Sequence, residues 1–304
     1  MVKPRLLILG GAGYFGARLA QAFSSTHDVL VSYRSCPPLR QAWLKDQNFR
    51  AVHYDAATMS TLDTGNAVDI VVNLAMPGAR EAMRNPDRAM AQAKTTAMLC
   101  QKMLDNGQAS QLLHLSTFHV YGGKGGPGYS EETQTLPTHP YGITHLAVER
   151  MLQDHACANL AYILRATNMA GAPAHLDLGD QAGLIFLDLC RQAVQDNQIT
   201  LGNDGASHRD MLPFNDAIAA LRLLANKPKT HHRLFNLGAG YSQSLSNIAQ
   251  TIAEECPGTP IHYGHGTDPF RSPFNIDISR LRALGWRPLG DLASEVSGTL
   301  EAFK

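Results

Sequence analysis

The chain opens on a short apolar run, Leu6-Leu7-Ile8-Leu9, closed by a glycine. A run of this length with no polar alternation predicts a strand covered on both faces, as in a parallel sheet. Gly10, Gly13 and Gly16 follow at once, and an amphipathic segment from Ala17 to Phe23 predicts a helix. Further strands are predicted near 28–33, 69–74, 111–116 and 161–164, with helical segments between them. Strands alternating with helices in this way predict an α/β fold built on a doubly wound parallel sheet. Beyond Asn168 the sequence becomes richer in Gly, Pro and His, and the alternation is lost.

Strand, glycine turn and helix together form the setting that a dinucleotide fingerprint requires. The first glycine permits the tight turn, the second lets backbone approach a pyrophosphate, and the third lets helix pack on strand. The helix N-terminus adds free N–H groups and the positive end of the helix dipole. Gly10, Gly13, Tyr14, Phe15 and Gly16 are therefore expected to cradle a dinucleotide. The competing reading is a glycine-rich turn in an unrelated α/β protein.

Composition changes the picture little. At 304 residues the chain can bury a large core, in one domain or two closely joined ones. With 26 basic and 26 acidic residues its formal charge is zero, and it carries no basic block that would point to nucleic acid or a membrane surface. Cys36, Cys100, Cys157, Cys190 and Cys256 are scattered and odd in number, which predicts a reducing, cytoplasmic setting. The first apolar run is consumed by the first strand, so no signal peptide is expected. No stretch reaches the roughly 18 apolar residues of a membrane span. The thirteen histidines show no clustered ligand spacing, and no metal is inferred.

The spacing Gly-x-x-Gly-x-x-Gly resembles that of the extended short-chain dehydrogenase/reductases, the nucleotide-sugar epimerase/dehydratase group. Several ordered segments carry the resemblance over nearly the whole chain: Asp69 to Ala75, Leu113 to Gly122, Leu164 to Pro173, His208 to Asp216, Phe235 to Gly240 and Leu284 to Pro288. It implies a Rossmann-type nucleotide domain over residues 1–168, joined by later elements at about 212–237. Residues 169–211 and 238–304 would then form a smaller, interleaved substrate domain. Leu74 and Ala75 would lie beside the cofactor, and Asp55 would contact the adenine amino group unless it is an ordinary strand-end turn residue. The resemblance also implies a homodimer through helices at about 88–105 and 141–156, with Met98, Leu146 and Met151 among the apolar positions.

The most telling segment is Pro140-Tyr141-Gly142-Ile143-Thr144-His145. Tyr141 and His145 are four residues apart, so on a helix they share a face. In the family, a tyrosine exchanges the substrate proton while the nicotinamide exchanges hydride. A lysine four residues later binds the ribose hydroxyls and lowers the tyrosine pKa. Here the lysine position holds His145. Thr117 matches the family residue that hydrogen-bonds the same sugar oxygen. A histidine titrating near 6.5 is a weak cation at neutral pH. Its protonation is expected to modulate Tyr141, and its weakness harms alcohol oxidation more than ketone reduction. The family's 4,6-dehydratases place Asp-Glu after the catalytic threonine; this chain has Phe118-His119, which argues against dehydration.

At the end of the second strand, where a carboxylate usually meets the ribose hydroxyls, stand Arg34 and Ser35. A guanidinium suits a 2′-phosphate, which favours NADP over NAD, although Arg34 could instead stack on adenine or face solvent. Asn168, Arg209 and Arg271 are candidates to hold a nucleotide diphosphate, and His119 is a further candidate to touch substrate. The sequence thus predicts an NADPH-dependent reductase of a nucleotide-linked 4-keto-6-deoxy sugar in surface-polysaccharide synthesis. An epimerase and a catalytically silent NADP-binding regulatory protein are the rivals.

Overall fold

The computed structural model describes residues 2–47, 49–58, 62–122, 128–267 and 270–304, with the side chain of Asp180 not described. The first half alternates as the hydrophobic pattern requires: β1 (Arg5–Leu9), α1 (Tyr14–Phe23), β2 (Asp28–Tyr33), α2 (Pro38–Asp46), β3 (Arg50–His53), β4 (Ile70–Asn73), α3 (Ala79–Arg84), α4 (Pro86–Asp105), β5 (Leu112–Thr117), α5 (Pro140–Gln153) and β6 (Ala161–Ala166). The second half is more broken. It holds β7 (Asn168–Ala170), α6 (Ile185–Arg191), β8 (Ile199–Asn203), β9 (His208–Arg209), β10 (Met211–Pro213), α7 (Phe214–Ala225) and β11 (Leu234–Leu237). It ends in β12 (Gln243–Ser244), α8 (Leu245–Glu254), β13 (Ile261–Gly266), α9 (Ser279–Ala283) and α10 (Leu292–Phe303).

Among the described residues, seven parallel strands form one sheet in the order β11-β6-β5-β4-β1-β2-β3. β1 lies in its interior, paired with β2 and β4 at once, and Leu6 to Leu9 are fully buried. That double covering is why the segment reads as an unbroken apolar run. β3 is an exposed edge strand, Arg-Ala-Val-His, with too little apolar pattern to be read from sequence. β11 adds an edge from far along the chain, so the last strand of the sheet comes after residue 168. The strand order reverses between β1 and β4. In open α/β sheets a crevice forms at the carboxyl ends of the strands at such a point.

Helix α4 turns Ala89, Ala93, Ala97, Cys100 and Leu104 onto the sheet, a small-residue face at helical spacing that allows close approach. Among the described residues, the segments after β6 also form three two-stranded ladders, β7 with β10, β9 with β12 and β8 with β13. α6, α8 and α10 pack there around Phe186, Ile248, Val296 and Leu300. No helix among the described residues is long and apolar enough to cross a membrane.

Candidate active site

A cleft opens where the strand order predicts it, between the carboxyl ends of β1 and β4, and extends over β5 and the start of α5. Gly10, Gly13, Tyr14, Phe15 and Gly16 line one end, Leu74 the middle, and Thr117, His119, Tyr141, His145 and Asn168 the other. Most of the residues expected from sequence to carry chemistry are thus brought together.

The glycine end is built for close backbone approach. Gly10 takes φ +77°, which L side chains rarely adopt. A Cβ on Gly16 would sit 2.4 Å from the Gly10 carbonyl oxygen. The Gly10 N–H donates to Ser32 Oγ at 2.9 Å, which fixes the turn to β2. α1 starts at Gly13 with no side-chain cap and no acidic residue in its first turn. Its free N–H groups are open to an anion. Tyr14 lines the cleft, but its hydroxyl donates to the Gly171 carbonyl at 2.5 Å, so the hydroxyl is already engaged. Ala75 is held by its N–H donating to Asn73 Oδ1 at 3.0 Å, against the backbone of Gly10.

The catalytic end is positioned by β5 and α5. Pro140 occupies the first turn of α5, where its missing N–H costs nothing. Gly142 lets that turn press onto the His119 carbonyl, which a Cβ would meet at 2.7 Å. Tyr141, His145 and Glu149 share a face of α5. Glu149 is fully buried, accepts from both Nε and Nη2 of Arg165 on β6, and accepts from Ser116 Oγ at 2.6 Å. This network pins α5 to the two strands that carry the site. Thr117 accepts from the His119 N–H at 3.3 Å and hydrogen-bonds the Tyr141 hydroxyl.

His145 is 3 % exposed, and its ring stands edge-on to Tyr141 with centroids 4.6 Å apart. Neither ring nitrogen has a hydrogen-bond partner among the described residues. Burial, reinforced by His114 and His119 nearby, holds the imidazole well below its usual pKa, so it is neutral at physiological pH. The sequence expectation of a histidine titrating near neutrality is corrected here: burial, with His114 and His119 nearby, holds it lower. Burial also pushes the Tyr141 phenol above 10, against the lowering effect of Thr117. His119 and His139 complete a set of imidazoles around the Tyr141 ring, with centroids 5.7 and 6.1 Å away. His114 is fully buried and held to about 4 by burial; the Asn73 amide faces its Nδ1 at 3.1 Å.

Other expected residues lie elsewhere. Arg34 pairs with Glu81 at 3.5 Å, and Ser35 is exposed beside it. Asp55 accepts from the Ala57 N–H at 2.9 Å in the turn after β3. Asn168, which does line the cleft, donates to the Asp210 carbonyl at 3.3 Å. Arg209 lies over the Phe270 ring at 5.4 Å and donates to the His208 carbonyl. Arg271 forms a two-pronged ion pair with Asp204, half exposed. The cleft-lining set does not include Arg209 or Arg271.

The sequence reading missed the segment Met76 to Arg80, which lines the cleft after β4, and Gln181 and Gly183 opposite. The rule that ligands sit beyond strand ends would have found the first. Among the described lining residues there is no Asp or Glu, and Arg80 is the only lysine or arginine. Away from the cleft, Asp105, His155 and Cys157 converge. The Cys157 N–H donates to His155 Nδ1 at 3.2 Å and His155 Nε2 faces Asp105 at 3.4 Å, so the cluster is closed by its own contacts.

The model of the NAD dependent epimerase/dehydratase family matches residues 6–238. A UDP-glucose 4-epimerase of Corynebacterium glutamicum is 25 % identical over 299 residues, covering 93 % of this chain and 91 % of its own. Among solved structures, a UDP-N-acetylglucosamine 4-epimerase from Methanobrevibacter ruminantium M1, in complex with UDP-N-acetylmuramic acid, superposes with a TM-score of 0.85 at 18 % identity, covering 100 % of this chain and 99 % of that one. An NAD dependent NDP-hexosamine 5,6-dehydratase of tunicamycin biosynthesis superposes with a TM-score of 0.82 at 22 % identity, covering 98 % and 97 %.

Proposed function

The chain belongs to the NAD dependent epimerase/dehydratase family, and on that footing we propose that it reduces a nucleotide-linked keto-sugar, at C4 of a 4-keto-6-deoxyhexose, with a reduced nicotinamide dinucleotide as hydride donor. The observation that carries the reading is the burial of a neutral His145 where the family places a lysine. With no cation beside it, Tyr141 keeps its proton across the physiological range. A protonated tyrosine is fit to donate to a ketone and unfit to deprotonate an alcohol, which an epimerase must do first.

The residues fit the cofactor. The glycine cradle would take the pyrophosphate, and the orphaned ring nitrogens of His145 would take ribose hydroxyls, one as donor and one as acceptor. Held there, a reduced nicotinamide would supply the hydride for the carbonyl carbon. Tyr141 then gives its proton to the oxygen, where the C=O electron pair collects, and regains one from solvent. Thr117 holds the Tyr141 hydroxyl and hydrogen-bonds the same oxygen. The absence of carboxylates from the described cleft lining argues against dehydration, which needs acid and base at adjacent carbons. Substrate would be held by residues 169–211 and 238–304, with Asn168 and His119 facing the sugar and Arg209 and Arg271 further out on the nucleotide side. In this reading the product feeds surface-polysaccharide synthesis and the enzyme is a homodimer through α4 and α5. Of the apolar positions expected there, Met98 is exposed at 51 %, but Leu146 is buried in the chain's own core and Met151 is packed against core residues as well; Ile143 is exposed on α5 at 45 %.

The similarity to 4-epimerases supports a second reading, epimerisation with retained cofactor. Mixing the protein with reduced dinucleotide and a panel of nucleotide 4-keto-sugars separates the two. Loss of the nicotinamide absorbance with each keto-sugar turned over supports reduction. Interconversion of 4-hydroxy epimers without added reductant supports the epimerase.

A further inference from the structure

We infer that the choice between NAD(H) and NADP(H) is set by Glu81, a carboxylate delivered from α3 rather than from the end of β2. This rests on the reading that the cleft binds a dinucleotide, and not on which reaction follows.

Arg34 stands where the second strand of such folds meets the adenosine ribose. An unopposed guanidinium there would favour a 2′-phosphate. It is not unopposed. Its Nη1 lies 3.5 Å from Glu81 Oε2, with Arg34 58 % exposed and Glu81 only 18 %. The second guanidinium beside the strand end, Arg40, is likewise committed. Its Nη1 donates to the Ser35 carbonyl at 2.9 Å, and its Nε lies 3.0 Å from Asp177 Oδ2. Both of these guanidiniums near the end of β2 therefore carry a carboxylate.

What brings Glu81 to the end of β2 is α3, which begins at Ala79 inside the cleft and carries the Glu81 carboxylate to Arg34. Met76 to Arg80 line the cleft, and Glu81 is the next residue. Its carboxylate is an acceptor only and suits a ribose 2′-hydroxyl. A 2′-phosphate brought to Arg34 would face the same carboxylate and would have to compete with it for the guanidinium. Arg34 then orients Glu81, and the two together do what an Asp or Glu at the end of β2 does in a single residue.

The test is a titration of the full chain with NADH and with NADPH, followed by nicotinamide fluorescence, with no sugar present. Four proteins are compared: wild type, Glu81→Gln, Arg34→Ala and the double variant. Wild type is expected to bind NADH at least as tightly as NADPH. Glu81→Gln should shift the ratio of affinities at least fivefold towards NADPH, and adding Arg34→Ala should remove that shift. A shift smaller than fivefold in Glu81→Gln, a shift that survives the loss of Arg34, or a wild type that prefers NADPH would overturn the inference. Because no sugar is present, these outcomes leave the question of reduction or epimerisation untouched, and a failed turnover assay leaves the binding ratio readable.

Discussion

The His145 ring meets the Tyr141 ring edge-on at 4.6 Å, and the contact is between two neutral groups. In place of a lysine that would draw the tyrosine towards its anion, the helix presents an imidazole that burial keeps uncharged. The chemistry proposed for the site follows from that pair.

The pair makes a prediction about pH. Since His145 is already neutral and Tyr141 still protonated, the reductive rate of wild type should be flat between about pH 7 and 9. His145→Lys places a cation beside the phenol, which lowers a neighbouring pKa by about 1–3 units. A decline in reductive rate should then enter that window, and alcohol oxidation should gain relative to reduction. Rates measured against pH at saturating cofactor check this. A wild-type inflection near pH 6.5–7.5 that vanishes in His145→Lys would show that the histidine does titrate in the working range.

Tyr141→Phe removes the proton donor and keeps the ring. Turnover should fall by about 10²–10⁴-fold, the usual contribution of a positioned general acid. Dinucleotide affinity should stay within a few-fold of wild type. Unchanged turnover would take the catalytic assignment away from this helix.

Gly16→Ala tests the cradle. Its Cβ would stand 2.4 Å from the Gly10 carbonyl, so backbone must shift where the pyrophosphate is expected. Dinucleotide affinity should drop at least tenfold, with a stability cost of about 1–3 kcal/mol. Gly13→Ala, whose Cβ would meet the same oxygen at 3.2 Å, should be milder. Titration and thermal unfolding read the two effects separately, and equal affinities in Gly16→Ala and wild type would contradict the cradle.

His114 offers a stability prediction with a definite sign. Its folded pKa, about 4, lies below the unfolded value near 6.5. Its contribution is therefore whole above about pH 6.5. It is lost as pH falls towards 4, because the unfolded chain takes up a proton that the native state refuses. Between pH 7.5 and 5 the loss should be about 2 kcal/mol. Asp210, raised to about 6 by burial, works in the opposite sense, gaining stability as pH falls through that value. The comparison is therefore made between wild type and His114→Gln by urea unfolding at both pH values. The same pH dependence in both proteins would contradict the assignment.

Much of this was legible in the chain. Leu6 to Leu9 could be read as an interior strand because burial on both faces removes all polar alternation. Helix spacing put Tyr141 and His145 on one face, and the resemblance to the family joined Thr117 to them. Arg34 could be located but not its partner, since Glu81 is 47 residues away and meets it only through the course of α3. The neutrality of His145 was equally hidden. A sequence shows the residue type, whereas its pKa depends on His114, His119 and the depth of burial, which the fold alone supplies.

The most direct measurement follows the hydride itself. The protein is incubated with dinucleotide carrying deuterium at the transferable C4 position and with a nucleotide 4-keto-6-deoxy sugar, and the sugar product is weighed by mass spectrometry. A ketoreductase with Tyr141 as proton donor yields a 4-hydroxy sugar containing one deuterium for each dinucleotide oxidised. Recovery of the unreduced 4-keto sugar without deuterium and with no oxidation of added dinucleotide, while a nucleotide 4-hydroxy sugar in a parallel sample is converted to its C4 epimer, would contradict it.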